Sequence, residues 1–355
     1  MTTSVYFAST ILHLYTASVL AAERKDEDAH LIFIDQPEGQ DFPLYPLVQN
    51  WQQSPFTTVR LFHGRFKGLG NKLKQRKALF GKLETVIGEL RPGHIFVGND
   101  RRIEFQWSMH VAERLDLKPV GHYMDEGTYT YLGRKDSDGF GDAVLDNMVK
   151  KLSYGFWWKN PPTIGGSEWI QQVHAAYPEH VHPLLKSKQL HALPAAGFTS
   201  HAMLSLSAAL MQHYGFEPAV LKDLDVLFTL PHESLFEKNP AYKQQVLGEI
   251  QRLSGEGKRV AAKYHPRNSG PDVLGLQSDG VVLLPAGISF EAMLPHFNDA
   301  MEVMGDLSST LLLCRWLRPG LTVTSVQPSN NQGQVDARFK ALLSNIGVNV
   351  KEPNA

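Results

Sequence analysis

Short apolar runs separated by longer amphipathic stretches recur along the chain in two blocks. In the first block, residues 5–8, 31–34, 58–61, 94–97 and 119–123 form apolar runs bounded by turn residues. Between them, 72–90 and the segment after Asn99 running through Trp107 to Leu115 carry helical spacing. Runs of this kind suit strands covered on both faces, and the order strand, helix, strand predicts parallel pairing with right-handed crossovers. The second block predicts strands at 225–230, 259–264, 281–284, 300–304 and 321–326, with helices over 242–253, 289–297 and 309–317. Two doubly wound α/β domains follow. The middle, 154–194, is rich in Trp, Pro and His and shows no clear period. The domain boundary is expected within 190–200, giving domains of 1–195 and 196–355.

Composition narrows the class. The chain has 355 residues, 43% hydrophobic and 20% charged, which suits a globular protein long enough for two cores, with disorder expected only at the C-terminal tail. The first 22 residues lack Asp, Glu, Lys and Arg, but His13, two tyrosines and several hydroxyls interrupt the apolar run. A first strand, a Ser9-Thr10 turn and a first helix are expected there rather than a signal peptide. No stretch approaches the roughly 20 apolar residues of a membrane span. The single cysteine, Cys314, lies in an apolar run and reads as a core residue in a reducing compartment.

The net charge of −1 conceals a basic block. From 42 to 83 there is no acidic residue, while Arg60, Arg65, Lys67, Lys72, Lys74, Arg76, Lys77 and Lys82 fall there. A solvated helix face is the ordinary account; a polyanionic acceptor or peripheral contact with anionic lipid would also need such a surface. No nucleic-acid motif accompanies it, and no nucleic-acid partner is expected.

Three motifs sit just after strand-like runs. Asp125-Glu126-Gly127 closes the run 120–124. A carboxylate at a strand's carboxyl edge can accept the proton of an attacking hydroxyl, although the triplet also suits a turn with Gly127 at positive φ. In Lys263-Tyr264-His265-Pro266-Arg267, proline ends the strand and fixes the residue before it. If the extended geometry persists, Lys263, His265 and Arg267 project to one side as an anion site. Ser308-Ser309-Thr310 precedes the apolar helix, where hydroxyls and free N–H groups can cradle a phosphate or simply cap. Asn99, in the loop Gly98-Asn99-Asp100-Arg101 after another strand, is a candidate sugar contact or a helix-capping turn. Asp136-Ser137-Asp138 is the nearest approach to a metal-binding DxD pattern, and reads as a surface loop. Trp157-Trp158 reads as a packed aromatic cluster ahead of a sugar-stacking patch.

Taken together, Asp125-Glu126-Gly127, His265-Pro266 and Ser308-Ser309 resemble the D/E-D/E-G, HP and serine-pair motifs of the bacterial sialyltransferases of the polysialyltransferase and lipooligosaccharide sialyltransferase type. The resemblance implies a GT-B fold, two Rossmann-like domains facing each other across a cleft, with acceptor binding by 1–195 and CMP-sugar binding by 196–355. It implies an inverting, metal-independent transferase without a cofactor, passing sialic acid or a related nonulosonic acid from its CMP-sugar to a bacterial surface glycan of capsule or lipopolysaccharide type. Asp125 would be the general base, with Glu126 the second choice. His265, Ser308 and Ser309 would contact the donor phosphate, with Lys263, Pro266, Arg267 and Thr310 beside them and Asn99 and Gly127 toward the substrate. CMP-Kdo, CMP-pseudaminate or CMP-legionaminate would suit the same residue types, and a UDP- or GDP-sugar enzyme or a non-catalytic glycan-binding protein are the rivals. A cytoplasmic protein, peripheral at the inner membrane face, is expected.

Overall fold

In the computed structural model, which describes residues 1–39, 42–66, 69–133, 151, 155, 157–326 and 334–351, the chain divides into two compact units, Met1–Phe198 and Thr199–Ala355. Asp136-Ser137-Asp138, Lys67 and Tyr154 lie outside the described residues.

Unit 1 holds strands β1 (Thr2–Ala8), β2 (Glu27–Pro37), β3 (Thr58–Arg65), β4 (His94–Val97), β5 (Val120–Met124), β6 (Gln172–Ala175) and β7 (Gln189–Ala192). Its helices are α1 (Ile11–Glu23), α2 (Leu44–Gln49), α3 (Leu69–Leu90), α4 (Ile103–Arg114) and α5 (Thr128–Leu132). The strands form one sheet in the order β3-β2-β1-β4-β5-β6-β7, and each neighbouring pair is parallel. The opening stretch becomes β1 and α1: Ser4 to Ala8 and every residue from His13 to Ala21 are buried. Thr10 caps α1, its hydroxyl accepting from the His13 N–H at 3.2 Å.

The stretch expected to be irregular is partly sheet. Gln-Val-His-Ala and Gln-Leu-His-Ala form β6 and β7. Each is four residues with a polar residue at both odd positions, too short and too polar for an apolar run to mark. Trp158 is buried, and Trp157 packs against Phe80 and Trp107, at ring separations of 5.6 and 5.2 Å.

Unit 2 holds β8 (Val226–Thr229), β9 (Val260–Lys263), β10 (Val282–Leu284), β11 (Glu302–Gly305), β12 (Thr322–Val326) and β13 (Asn349–Lys351). Its helices are α6 (His201–His213), α7 (Glu233–Lys238), α8 (Pro240–Gly255), α9 (Phe290–Met293), α10 (Ser309–Leu317) and α11 (Gln334–Asn345). The order is β10-β9-β8-β11-β12-β13, again all parallel. Val226, Phe228, Val260 and Ala262 pack with Val246, Ile250 and Leu253 of α8 into one core. Regular structure continues to Lys351, where β13 pairs with β12, and the tail beyond it lies outside the described residues. Cys314 is buried on α10, where burial pushes its thiol up to about 12.

Each sheet has the same reversal. Crossovers from β1 run toward β3 on one side while β4 takes the other, and β8 stands in the same relation to β10 and β11. Ligands of such sheets bind beyond the carboxyl ends of the strands at this switch point. The loops there are 9–10, 98–102 and 125–127 in unit 1, and 230–232, 264–267 and 306–308 in unit 2.

Candidate functional site

In unit 1, Val97 of β4 pairs with Tyr123 of β5, so the loops after both strands emerge side by side. Asp125 follows β5 and is 3% exposed. Its Oδ1 accepts from the Gly127 N–H at 2.8 Å and the Thr130 hydroxyl at 2.7 Å. Its Oδ2 accepts from the Ala176 N–H at 2.9 Å and the Tyr131 hydroxyl. Two donors on each oxygen occupy all the lone-pair positions of a carboxylate. Burial raises the Asp125 carboxyl above its ordinary range against the pull of these donors. In this structure the Asp125 oxygens are thus met by four donors of its own loop and of the segment after β6. Gly127, at φ 79, turns its N–H back onto Asp125 and forms the turn.

Glu126 is wired in the opposite way. Its Oε1 accepts from Asn99 Nδ2 at 3.3 Å, and its buried Oε2 accepts no hydrogen bond from any described residue. Burial pushes its carboxyl up to about 7, with Asn99 and Arg102 pulling the other way. A carboxyl with a free oxygen and a midpoint near neutrality has the properties of a general base.

Asn99 is held by its own loop, its Oδ1 accepting from the Arg101 N–H at 3.1 Å. Asp100, fully buried, accepts from the Gly165 and Ser167 N–H groups at 2.8 Å each, fastening the loop to the segment before β6. Beneath lies His13. A Cβ on residue 98 would stand 2.0 Å from His13 Nε2, so only glycine lets the loop close over the ring. Asn99, Arg101, Arg102, Tyr129 and Ile164 line a cavity of about 360 Å³ at this edge.

In unit 2, Thr229 pairs with both Lys263 and Gly305, which sets the loops after β8, β9 and β11 side by side. His265 Nδ1 accepts from the Arg267 N–H at 3.2 Å, so in the neutral ring the proton sits on Nε2. Burial, then Arg267, His232 and Lys263, lower its pKa and favour that neutral form. His232, which the sequence reasoning missed, stands edge-on to it at a ring separation of 5.4 Å, its own Nδ1 accepting from the Ser234 N–H at 3.2 Å. Glu233 binds the two loops together through the Ser269 N–H at 3.0 Å and hydroxyl at 2.8 Å. The signal was present as Pro231-His232 directly after the strand, the mirror of His265-Pro266.

Ser308 has extended N-cap geometry but makes no capping bond, and its Oγ is buried without a partner among the described residues. A hydroxyl left unbonded at a helix N-terminus is available to an anion. Ser309 and Thr310 begin the first turn of α10. The expected common face of Lys263, His265 and Arg267 is corrected, because the chain leaves β9 at Lys263 and turns at Pro266. Lys263 is buried, donating to the Ala286 carbonyl at 3.1 Å, and burial lowers its pKa to about 8. Pro266 and Arg267 are exposed. Asp306, also missed, follows β11 with its pKa raised to about 6 by burial.

No family model matches the chain, and no curated protein sequence matches it. Solved structures do. The α/β-galactoside α-2,3-sialyltransferase of Photobacterium phosphoreum, a luminous marine bacterium, is similar with a TM-score of 0.59 at 14% identity, over 98% of each chain. The UDP-GlcNAc 2-epimerase of Methanocaldococcus jannaschii is similar with a TM-score of 0.58 at 12% identity, over 100% of this chain and 89% of that one. A second structure of that epimerase, in complex with UDP-GlcNAc and UDP, gives 0.51 at 11% identity, over 99% and 88%. The likeness places this chain in the GT-B fold class of two Rossmann-like domains. Among the described residues no helix is long and apolar enough to cross a membrane.

Proposed function

We propose that the protein is an inverting glycosyltransferase that passes a nonulosonic acid, sialic acid or a close relative, from its CMP-sugar to a bacterial surface glycan. The observation that carries this reading is Glu126: a buried carboxyl at the switch edge of a Rossmann-like sheet, with one oxygen that no described residue meets. Glu126, in place of Asp125, is the general base. It takes the proton of the acceptor hydroxyl as that oxygen bonds to the anomeric carbon and the bond from that carbon to the CMP phosphate oxygen breaks.

Negative charge then grows on the departing phosphate. His265 Nε2–H, His232 Nε2–H and the Ser308 hydroxyl are the donors assigned to it, with Ser309 and Thr310 beside them. Fixed donors of this kind contribute on the order of 3 kcal/mol each when they meet developing charge. Lys263 holds the Ala286 carbonyl, and the exposed Arg267 takes no part. The scheme assigns no role to a metal ion or cofactor. The basic block over 59–82 would serve peripheral attachment at an anionic membrane face.

The test is release of CMP from CMP-sialate, CMP-Kdo, CMP-pseudaminate and CMP-legionaminate, with and without glycan acceptors. Release from one of them, lost in Glu126→Gln, is the expected result. The likeness to an epimerase crystallised with UDP-GlcNAc favours one rival, a UDP-sugar enzyme. Thermal stabilisation by UDP and UDP-GlcNAc, with none by CMP, would establish that rival instead.

A further inference from the structure

The cavity beside Asn99 has a charge character that proton transfer alone leaves unused. Arg101 and Arg102 both line it, together with Tyr129, which is 49% exposed, and Ile164. Arg102 Nη1 stands 2.8 Å from Asp35 Oδ2, and Arg65 Nη2 stands 2.9 Å from the same oxygen. One carboxylate oxygen is thus shared by two guanidiniums. Asp35 itself is held at φ 59, a left-handed conformation uncommon outside glycine, so this arrangement is fixed by its surroundings.

Arg102 also faces Glu104 and Glu126, whose carboxyls burial raises. Arg76 adds another cation facing Glu104 and Asp35. Meanwhile Arg102 Nε is buried and donates to no described residue. A buried guanidinium N–H without an acceptor is costly, and the acceptor that best satisfies an arginine edge is a carboxylate or phosphate.

We propose that this cavity seats an acidic group, carboxylate or phosphate, carried by the acceptor glycan, with Arg102 and Arg101 as specificity-determining residues. The inference rests on the reading of unit 1 as the acceptor side. Asn99 lines the cavity and also bonds Glu126, so an anion on Arg102 lies next to the group that takes the acceptor proton. Tyr129 offers a ring face on which the acidic sugar can rest. An acidic acceptor is thereby selected over its neutral counterpart.

Calorimetric titration of the full chain with lactose, and with lactose bearing a terminal sialic acid or a terminal phosphate, tests this directly. The wild type is expected to bind an acidic ligand roughly 10-fold or more tightly than lactose, the range of a charge-assisted hydrogen bond. Arg102→Gln should bring the two affinities together, Arg101→Gln should narrow the gap, and Arg102→Lys should restore part of it. Arg114→Gln, an exposed position on α4 paired with Glu84, serves as the control. Equal binding of acidic and neutral ligands, or binding of none, overturns the proposal. So does an Arg102→Gln variant that weakens CMP-sialate binding while keeping the acidic preference, since the anion would then be the donor's own carboxylate. Absence of CMP release would count against the transferase reading alone, because the binding ratio is measured without turnover.

Discussion

Buried histidines make the stability of unit 1 depend on pH. His94, His122, His174 and His191 stand on the adjacent strands β4, β5, β6 and β7. His94 Nδ1 lies 2.9 Å from His122 Nε2, and His122 Nδ1 lies 3.0 Å from His174 Nε2. The His174 and His191 rings stack at 5.0 Å. His122 also stacks on Phe96 at 4.0 Å and is fully buried. Burial, followed by the neighbouring imidazoles, drives its pKa from 6.5 to about 2, and burial drives His174 to about 3. Below pH 6.5 the unfolded chain binds protons that the folded chain refuses, so stability present above that value is lost as pH falls. For one histidine the loss between about pH 7.5 and about pH 5 is about 2 kcal/mol. It is insensitive to whether the folded value is 2 or 3, because both lie far below the assay range.

Carboxyls with raised values, among them Glu126 and Asp306, respond in the opposite direction, so the wild-type profile alone does not isolate the ladder. Comparison with His122→Gln does. Glutamine keeps a polar group between His94 and His174 but does not titrate. Urea unfolding, followed by tryptophan fluorescence, should be measured at both pH values; Trp51, Trp107, Trp157, Trp158 and Trp169 all lie in unit 1. The variant is expected to be less stable near pH 7.5 and to recover about 2 kcal/mol relative to wild type near pH 5. Parallel profiles, with a constant difference at both pH values, would refute the reasoning.

Glu126→Gln should lower kcat for transfer by about 10²–10⁴, and wild-type kcat/KM should fall about tenfold per unit below a midpoint near 7, because the base must be ionised. A pH profile flat from 5.5 to 8 would remove Glu126 from that role. Asp125→Asn should cost roughly 2–4 kcal/mol, since an amide has one acceptor oxygen for the four donors that meet the carboxylate; denaturant unfolding checks this, and unchanged stability with lost turnover would return Asp125 to the chemistry. Ser308→Ala should leave the melting temperature nearly unchanged, there being no capping bond to lose, while weakening CMP binding severalfold by titration.

Much of the architecture was legible because a parallel sheet covered on both faces leaves its mark in single short segments. The runs around Tyr6, Phe96 and Phe228 announce buried strands without reference to their partners. β6, β7 and β13 left no such mark. They are short segments, β6 and β7 with histidine inside them and β7 and β13 at sheet edges, and become strands because a neighbouring strand already offers its hydrogen-bonding groups. At the candidate site the residue types and their strand-end positions could be read directly from Asp125-Glu126-Gly127, His265-Pro266 and Ser308-Ser309.

Their division of labour could not. Asp125 and Glu126 are adjacent carboxylates of nearly equal intrinsic acidity, and no local property of the chain separates them. The separation comes from where the donors fall: Gly127 and Thr130 meet Oδ1 of Asp125 and Tyr131 and the distant Ala176 meet its Oδ2, while Asn99 meets only one oxygen of Glu126. His232 gained its place in the same manner, through a loop brought beside His265 by β8 and β9. The order of elements is written in local hydrophobic pattern, because each run carries its own burial. Which carboxylate keeps a free oxygen depends on how many donors converge on it and how much water is excluded, and both are set by segments far apart in the chain.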